Sequence, residues 1–334
     1  MKAVFIREHG DPSVIQVGDM PEPEAGPGEI VVRVRACGLN RLDLYTRAGT
    51  RGTKVPPEQL PRILGGDCVG DVVETGEEVE GVATGQRVLV NPLCESQPTP
   101  RMLGTHRQGS NAEYIAVPAE NAIPLPDSIP DEQAAALPTV YLPTWNIVIR
   151  EGRLQPNETA MVLSSSSGIG TAAIQLIKGV AGASCIAVTS TGEKIRKSRE
   201  LGADYAVNYN SEDLAYRVKD ITGGRGVDLV VDSTGAALFE AAYTSLARGG
   251  RYGICGVTAG YQAQLHLGQL FSKELKVFGV FMGSNDDLRH IVDAAEAGKI
   301  QSAVHKVVPL EETASAHEEM ERSEHFGKFV IAVS

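Results

Sequence analysis

The 334-residue sequence lacks three features that would place it in other classes of protein. Basic residues are in the minority, 31 Lys and Arg against 42 Asp and Glu, so the clustered positive charge of a nucleic-acid-binding surface is not expected. No uninterrupted apolar run reaches the length of a membrane span, and Arg7, Glu8 and His9 break the apolar start too early for a secretory signal. We therefore expect a cytoplasmic protein with no nucleic-acid or membrane partner.

Cysteine is also scarce and irregularly spaced. The five cysteines are odd in number, and no two of them form a C-x-x-C pair. This spacing supports neither a disulfide framework nor a zinc ribbon. Free, mostly buried thiols are the simplest interpretation.

The most regular pattern lies between residues 160 and 194. An apolar run of strand length, residues 160–163, enters a serine-rich turn, and the turn opens a segment with the apolar spacing of a buried helix face. A second strand follows at residues 185–189. Together they form one βαβ unit of about 30 residues, the context that a dinucleotide-binding turn requires.

The turn departs from the usual G-x-G-x-x-G form. It reads Ser165-Ser166-Ser167-Gly168-Ile169-Gly170, so serines stand at two glycine positions. Glycine allows a tight turn and a close approach to pyrophosphate, and serine is a small residue that also offers a hydroxyl. The N-terminus of the following helix can still hold phosphate through its N–H groups and its dipole. Without the flanking strands, a serine-rich loop capping an ordinary helix would fit equally well.

The chain divides into a β-rich first part and an alternating second part. Up to about residue 125, short strands with Gly and Pro turns suggest a compact barrel or sandwich. A helix capped by Asp127 or Ser128 and ending near Pro138 is predicted at the transition. Beyond it, strands joined by helical crossovers predict a doubly wound parallel sheet. Its six strands are predicted at residues 160–163, 185–189, 205–209, 227–232, 251–255 and 276–282.

Five motifs, in this order, resemble the medium-chain dehydrogenase/reductase superfamily. They are ACGLNRLDLYTRAG (36–49), ILGGDCVGDVVETG (63–76), the serine-rich turn with TAAIQLIK (171–178), SRELGADYAVNY (198–209) and EHFGKFVI (324–331). The resemblance covers essentially the whole chain. It implies an α/β protein with a GroES-like β-barrel substrate domain at residues 1–126 and 283–334, and a Rossmann cofactor-binding domain at residues 127–282.

The superfamily contains zinc-dependent alcohol dehydrogenases and zinc-free quinone oxidoreductases or enone reductases. The zinc branch has ligands, Cys, His and Cys or Asp, at the positions of Asn40, Gly66 and, within a few residues, Thr139. Asn, Gly and Thr cannot provide the Cys and His ligands that zinc prefers. The structural zinc lobe needs four closely spaced cysteines, where this chain has Cys94 alone. The resemblance therefore implies no metal and the zinc-free branch, which also carries Asn at the position of Asn40.

The loss of a metal favours a particular kind of acceptor. Without a Lewis acid an alkoxide is hard to stabilise, so alcohol oxidation loses its electrophile. Hydride delivery to a quinone or α,β-unsaturated carbonyl is easier, because the charge spreads into a hydroquinone or an enolate. Two alternatives stay open: an alcohol or aldehyde dehydrogenase of the same superfamily, and a low-turnover NADPH-binding redox sensor.

The end of the second Rossmann strand carries no acidic residue. A carboxylate there would hold the ribose 2′-OH of NAD, whereas this chain has Thr189, Ser190 and Thr191. A 2′-phosphate fits instead, and Lys194 could pair with it. The resemblance adds that Lys194 and Tyr209 match the phosphate-binding Lys and Tyr of zinc-free relatives. A solvated lysine and a strand-end aromatic are the alternative, but we expect NADPH as the cofactor.

Further cofactor contacts are expected where parallel strands end, since ligands of such sheets bind there, and at positions given by the resemblance. The full set of expected cofactor residues is Asn40, Ser166, Ser167, Gly168, Ile169, Gly170, Thr189, Ser190, Lys194, Tyr209, Ser233, Gly256, Val257, Phe281, Met282, Gly283, Arg322 and Lys328.

Three residues are the candidates for catalysis. Asn40 could hydrogen-bond a carbonyl oxygen or the nicotinamide ribose, although turn asparagines commonly bond their own backbone. Tyr45 could donate a proton to an enolate, although a packed aromatic fits equally well. Asp67, like Asp43, could instead be a structural remnant of a metal site. Relatives are often dimers or tetramers built by edge pairing of the sixth strand, so we expect a homodimer or homotetramer.

Overall fold

The computed structural model describes residues 1–95 and 98–333. It separates into two compact units. Unit 1 comprises Met1–Thr139, Leu288–Val292 and Ser302–Ser334, and unit 2 comprises Val140–Asp287 and Asp293–Gln301. The first boundary lies beyond the predicted residue 126, because the short helix at Asp131–Ala135 packs against strands of unit 1.

The strands and α-helices of the two units have the following bounds, in chain order. The strands are β1 (Lys2–Ile6), β2 (Ile15–Asp19), β3 (Glu29–Leu39), β4 (Arg62–Ile63), β5 (Asp67–Thr75), β6 (Arg87–Val90), β7 (Leu93–Glu95), β8 (Arg101–Met102), β9 (Tyr114–Pro118), β10 (Ala122–Pro124), β11 (Thr159–Val162), β12 (Ser184–Thr189), β13 (Tyr205–Asn208), β14 (Val227–Asp232), β15 (Leu246–Ile254), β16 (Lys276–Gly279), β17 (Val304–Pro309) and β18 (Lys328–Ala332). The α-helices are α1 (Arg41–Ala48), α2 (Asp131–Ala135), α3 (Pro138–Trp145), α4 (Gly168–Gln175), α5 (Gly192–Glu200), α6 (Leu214–Ile221), α7 (Ala236–Thr244), α8 (Leu267–Ser272), α9 (Asn285–Glu296) and α10 (Thr313–Arg322).

Unit 1 is built on a largely antiparallel sheet with the strand order β10-β6-β5-β3-β18-β17, in which β9 also pairs with β3. The long strand β3 organises the sheet, because β5, β9 and β18 all pair with it. Its alternate residues Ile30, Val32 and Val34 enter the apolar core, as the period of a half-buried strand requires. The C-terminal strand β18 pairs with β3 in this unit, and the GroES-like β domain is confirmed.

Unit 2 is a parallel sheet with the order β13-β12-β11-β14-β15-β16. The order reverses beside β11, which is the Rossmann arrangement. Strand β14 has the predicted bounds, whereas β15 begins at Leu246, before the predicted start at residue 251. The α/β fold class is confirmed.

The predicted helix caps at Asp127 and Ser128 were wrong. These residues form a turn, and α2 begins only after Pro130, its N-cap. A residue that precedes proline is driven out of the helical region, so Ile129 cannot belong to a helix. Pro138 begins α3 instead of ending a helix.

Among the described residues, no helix is both long enough and apolar enough to cross a lipid bilayer.

Candidate active site

A buried polar cluster in unit 1 joins the end of β3 to the starts of β5 and β18. Asn40 directly follows β3, Asp67 opens β5 and Lys328 opens β18. Antiparallel pairing sets Gly38 opposite Asp67 and Leu39 opposite Phe329, which brings the three side chains together. All three are buried, Asp67 completely.

The ammonium group of Lys328 lies among three oxygen atoms. Its Nζ donates to the carbonyl oxygen of Leu39 at 2.9 Å and to Asn40 Oδ1, and it lies 3.4 Å from Asp67 Oδ2. Asn40 Nδ2 donates to Asp67 Oδ2 at 2.9 Å and to the carbonyl oxygen of Gly38 at 3.2 Å. An ammonium has three N–H groups and a side-chain amide has two, so both donors are fully used.

The second carboxylate oxygen of Asp67 holds the start of α3. Asp67 Oδ1 accepts from the backbone N–H of Thr139 at 3.0 Å and from its hydroxyl at 2.6 Å. The structure therefore brings together Asn40 and Thr139, two of the three positions compared with zinc ligands, around one carboxylate. At the third position, Gly66, an added Cβ would meet only Pro92 Cβ at 3.4 Å and the carbonyl oxygen of Leu103 at 3.7 Å.

Asp43 adds a second carboxylate beside the cluster. Its Oδ2 accepts from the backbone N–H of Asn40 at 2.7 Å. Burial, reinforced by the charge of Asp67, raises the pKa of Asp43 to about 7, whereas Lys328 opposes the rise. Burial also lowers the pKa of the Lys328 ammonium, against the attraction of Asp67 and Asp43. The three N–H groups of Lys328 are engaged within unit 1, and its cofactor contact stays a prediction.

Tyr45, the third catalytic candidate, is placed differently. It lies on α1, half-buried, with the guanidinium of Arg51 over its ring at 4.6 Å from the centroid. Its described ring contact is with Arg51 and not with Asn40 or Asp67. The structure thus joins Asn40 and Asp67 but not Tyr45.

The serine-rich turn of unit 2 leads into α4. Ser167 caps the helix, its hydroxyl accepting from the N–H of Gly170 at 3.0 Å, and the buried hydroxyl of Ser165 pairs with that of Ser198 at 2.9 Å. A Cβ at Gly170 would lie 2.3 Å from the carbonyl oxygen of Ser164, so only glycine fits there. Gly170 therefore provides the close helix-to-strand packing of the third fingerprint glycine. The first turn of α4, including Ile169, presents N–H groups that suit a phosphate.

The ends of β12 and β13 lie side by side. Thr189 is paired with Asn208, and the N–H of Tyr209 donates to the carbonyl oxygen of Thr189 at 3.0 Å. The hydroxyl of Thr191 accepts from the N–H of Lys194 at 3.3 Å, which fixes Lys194 in the first turn of α5. The structure thus brings these predicted positions to one edge of the parallel sheet.

The other predicted cofactor positions are spread over several elements. Ser233 follows β14, Gly256 and Val257 follow β15, and Phe281, Met282 and Gly283 follow β16. Ser166 lies in the turn before α4, Ser190 follows β12, and Arg322 is an exposed residue at the end of α10 in unit 1.

Asp232 is a residue that the sequence analysis did not identify as functional. It ends β14 fully buried, and its Oδ1 accepts from the N–H groups of Thr234 at 2.6 Å and Gly235 at 3.0 Å. The hydroxyl of Tyr252 donates to its Oδ2 at 2.9 Å. Asp232 therefore shapes the loop that carries Ser233. The acidic residue at the end of the predicted strand VDLVVD was the feature of the sequence that could have identified Asp232.

Comparison with known proteins covers both units. The family models "Alcohol dehydrogenase GroES-like domain" and "Zinc-binding dehydrogenase" match residues 26–127 and 168–297. An NAD-dependent alcohol dehydrogenase of Sulfurisphaera tokodaii is 30% identical over 99% of each chain. A solved NAD-dependent alcohol dehydrogenase is 38% identical over 100% of both chains, with a TM-score of 0.94. Escherichia coli quinone oxidoreductase, solved in complex with NADPH, is 27% identical over 99% of this chain and 100% of its own, with a TM-score of 0.85.

Two family models in sequence order, full-length relatives and a Rossmann sheet agree with one another. The chain belongs to the medium-chain dehydrogenase/reductase superfamily and is an oxidoreductase that binds a nicotinamide cofactor.

Proposed function

We propose that the protein is a zinc-independent, NADPH-dependent oxidoreductase that reduces a quinone or an α,β-unsaturated carbonyl. The observation that carries this proposal is the ammonium of Lys328, buried against Asp67 and against Asn40, which stands at the position of a zinc ligand in the zinc branch. The ammonium of Lys328 already balances the charge of the Asp67 carboxylate, which would otherwise attract a metal ion.

The donor atoms do not fit zinc. The three compared positions offer an amide, a glycine and a hydroxyl, whereas zinc prefers thiolate and imidazole ligands. The amide and hydroxyl are committed to Asp67, and a dication beside Lys328 would be repelled. Within residues 1–95 and 98–333, no three His, Cys, Asp or Glu side chains are grouped as metal ligands.

The closed hydrogen bonding of the cluster also limits the chemistry. When bound, the nicotinamide supplies a hydride. Asn40 and Lys328 have no uncommitted N–H to stabilise a localised alkoxide without breaking a buried bond. An acceptor that spreads the new charge over a conjugated system needs no such donor. We therefore favour quinones and enones, with solvent as the source of the proton.

The choice of NADPH rests on the end of β12. Thr189, Ser190 and Thr191 place no carboxylate where one would bind the ribose 2′-OH, and Lys194 follows in the first turn of α5. A lysine there can pair with a 2′-phosphate. The complex of the Escherichia coli quinone oxidoreductase with NADPH agrees with this choice.

An NAD-dependent alcohol dehydrogenase is the second candidate. The names of the Sulfurisphaera tokodaii relative and of the solved structure with 38% identity favour it. It requires a different way to stabilise the alkoxide, because the donors compared above do not fit zinc. A cytoplasmic location and a low-turnover sensing role stay predictions of the sequence.

Assembly through the edge of the unit 2 sheet is part of the proposal. Strand β16 ends the sheet, and Val277 on it is partly exposed. Phe271 and Phe281, before and after this strand, are also exposed. An unpaired apolar edge of this kind favours strand pairing between two copies, so we propose a homodimer, with a homotetramer built from it as the alternative.

The function is tested by following oxidation of NADPH and NADH with a panel of quinones, enones and aldehydes, and by the reverse assay with alcohols and NAD. We expect turnover with NADPH and a conjugated acceptor, and little with simple aldehydes. Preference for NADH, or efficient alcohol oxidation, would support the second candidate instead. Tight NADPH binding without turnover of any acceptor would support the sensor.

A further inference from the structure

Unit 1 contains a cavity that the proposed function does not use. Its volume is about 590 Å³, within the usual range of small-molecule sites. Neither Asn40 nor Asp67 lines it. Its wall combines apolar side chains, such as Met20, Ile63 and Ile115, with a group of cationic side chains.

Arg62 is the most unusual residue of this wall. It lies in β4 with only 3% of its surface exposed, and its one described hydrogen bond runs from Nη2 to Gln59 Oε1 at 2.9 Å. Among the described residues, its buried Nε has no hydrogen-bond partner, and no carboxylate forms an ion pair with its guanidinium. Burial and the nearby charge of Arg101 lower the pKa of this guanidinium. A buried charge without a counterion is costly, so a missing anionic partner would explain it.

The other cations of the wall already have partners. Arg107 pairs with Glu29, and Arg101 lies 3.4 Å from Glu95. The excess positive charge of the cavity is therefore concentrated on Arg62.

His106 and Glu22 are two further titratable residues of the wall. His106 Nδ1 accepts from the N–H of Met102 at 3.2 Å, which leaves Nε2 as the proton-bearing nitrogen. Burial lowers the pKa of His106, and Arg101 and Arg62 lower it further, so its ring is neutral near pH 7. Among the described residues of the wall, Glu22 is the one carboxylate, and its side chain is 69% exposed. It lies 3.9 Å from the N-terminal ammonium of Met1, and no ion pair joins it to Arg62 in the described part of the chain.

We propose that this cavity binds a small organic anion, with its carboxylate or phosphate group on Arg62 and its apolar part along Met20, Ile63 and Ile115. The planar fork of a guanidinium matches both oxyanions and can bind either through two hydrogen bonds. The apolar wall selects against fully polar anions. This proposal does not depend on the redox function, because it concerns binding within unit 1 alone.

The test is calorimetric titration of the full chain with hexanoate, hexyl phosphate and hexanol. We expect one or both anions to bind with a Kd below about 1 mM, and hexanol at least about tenfold more weakly. The stronger of the two anions identifies the headgroup. Equal binding of hexanol, or no binding of either anion, would overturn the proposal.

Variants locate the binding. Arg62→Gln should weaken anion binding by about tenfold or more, since a charged hydrogen-bond partner is lost. Arg101→Gln is the matched control and should weaken binding by less than about threefold, because that side chain is half exposed and already paired with Glu95. Unchanged affinity in Arg62→Gln would refute the assignment.

A measurement on the unmodified protein covers the case in which Arg62→Gln does not fold. Hexanoate should shift the methyl NMR signals of Ile63 and Ile115, and hexanol at the same concentration should shift them much less. Anion-induced shifts confined to other methyl groups would show a different site and would overturn the proposal. No nicotinamide or electron acceptor is present, so the outcome is independent of the oxidoreductase assay.

Discussion

Replacement of Asp67 by Asn is expected to destabilise unit 1 strongly. The carboxylate of Asp67 accepts two hydrogen bonds from Thr139 and one from Asn40, and it faces the ammonium of Lys328. Without it, Lys328 keeps only Asp43 as a nearby carboxylate, and burial raises the pKa of Asp43 above its ordinary value. Breaking a buried ion pair from one side costs about 3–5 kcal/mol in the free energy of unfolding.

The magnitude is measured by urea unfolding followed by far-ultraviolet circular dichroism, with Asp71→Asn as the matched control. Asp71 lies on the same strand but pairs with Arg33 and Arg35, which are about half exposed, so about 1 kcal/mol or less is expected. Adding Lys328→Met to Asp67→Asn should recover most of the loss, because the double variant no longer buries an ammonium that has lost its main counterion. A loss below about 1 kcal/mol in Asp67→Asn, or a further loss in the double variant, would refute this electrostatic reasoning.

Three other predictions follow from separate parts of the chain. Lys194→Ala should raise the KM for NADPH about tenfold or more and leave the KM for NADH nearly unchanged in steady-state kinetics. Lys197→Ala, which removes the half-buried partner of the exposed Glu193, is the control and should alter neither KM. Burial lowers the pKa of His317 to about 3, so below about pH 6.5 the unfolded chain binds a proton that the folded chain does not. The free energy of unfolding should therefore decrease as the pH is lowered, by up to about 1.4 kcal/mol per pH unit. In urea unfolding between pH 7 and 5, His317→Gln should lose this part of the pH dependence, and an unchanged pH dependence would contradict the prediction. Val277→Lys on the edge strand β16 should convert the proposed dimer to a monomer in size-exclusion chromatography, and a monomeric unmodified chain would exclude that interface.

The sequence predicted the Rossmann unit well because its signals are local. A run such as VDLVVD ends where polar residues begin, and β14 has exactly these bounds in the structure. The prediction was wrong where a neighbouring residue restricts the backbone conformation, as Pro130 does after the predicted helix caps at Asp127 and Ser128. It also failed at β15, whose start at Leu246 is determined by pairing with Val227 and not by its own composition.

The candidate site was predictable as a set of positions but not as a set of contacts. Asn40, Asp67 and Thr139 were identified from the resemblance to a known family. The sequence could not show that Asn40 and Thr139 both donate hydrogen bonds to the carboxylate of Asp67. Lys328 lies 288 residues from Asn40 in sequence, and the pairing of β18 with β3 brings them together. Arg62 gave no signal at all, because burial without a counterion is a property of the fold.

The central claim is that this chain reduces conjugated acceptors without zinc. It is tested most directly by measuring NADPH-dependent quinone reduction and bound zinc, by elemental analysis, before and after exhaustive dialysis against a chelator. We expect activity to stay within about twofold of the starting value, with far less than one zinc per chain throughout, because the site offers no thiolate or imidazole ligands. About one zinc per chain, with activity lost on chelation and restored by added zinc, would contradict the account.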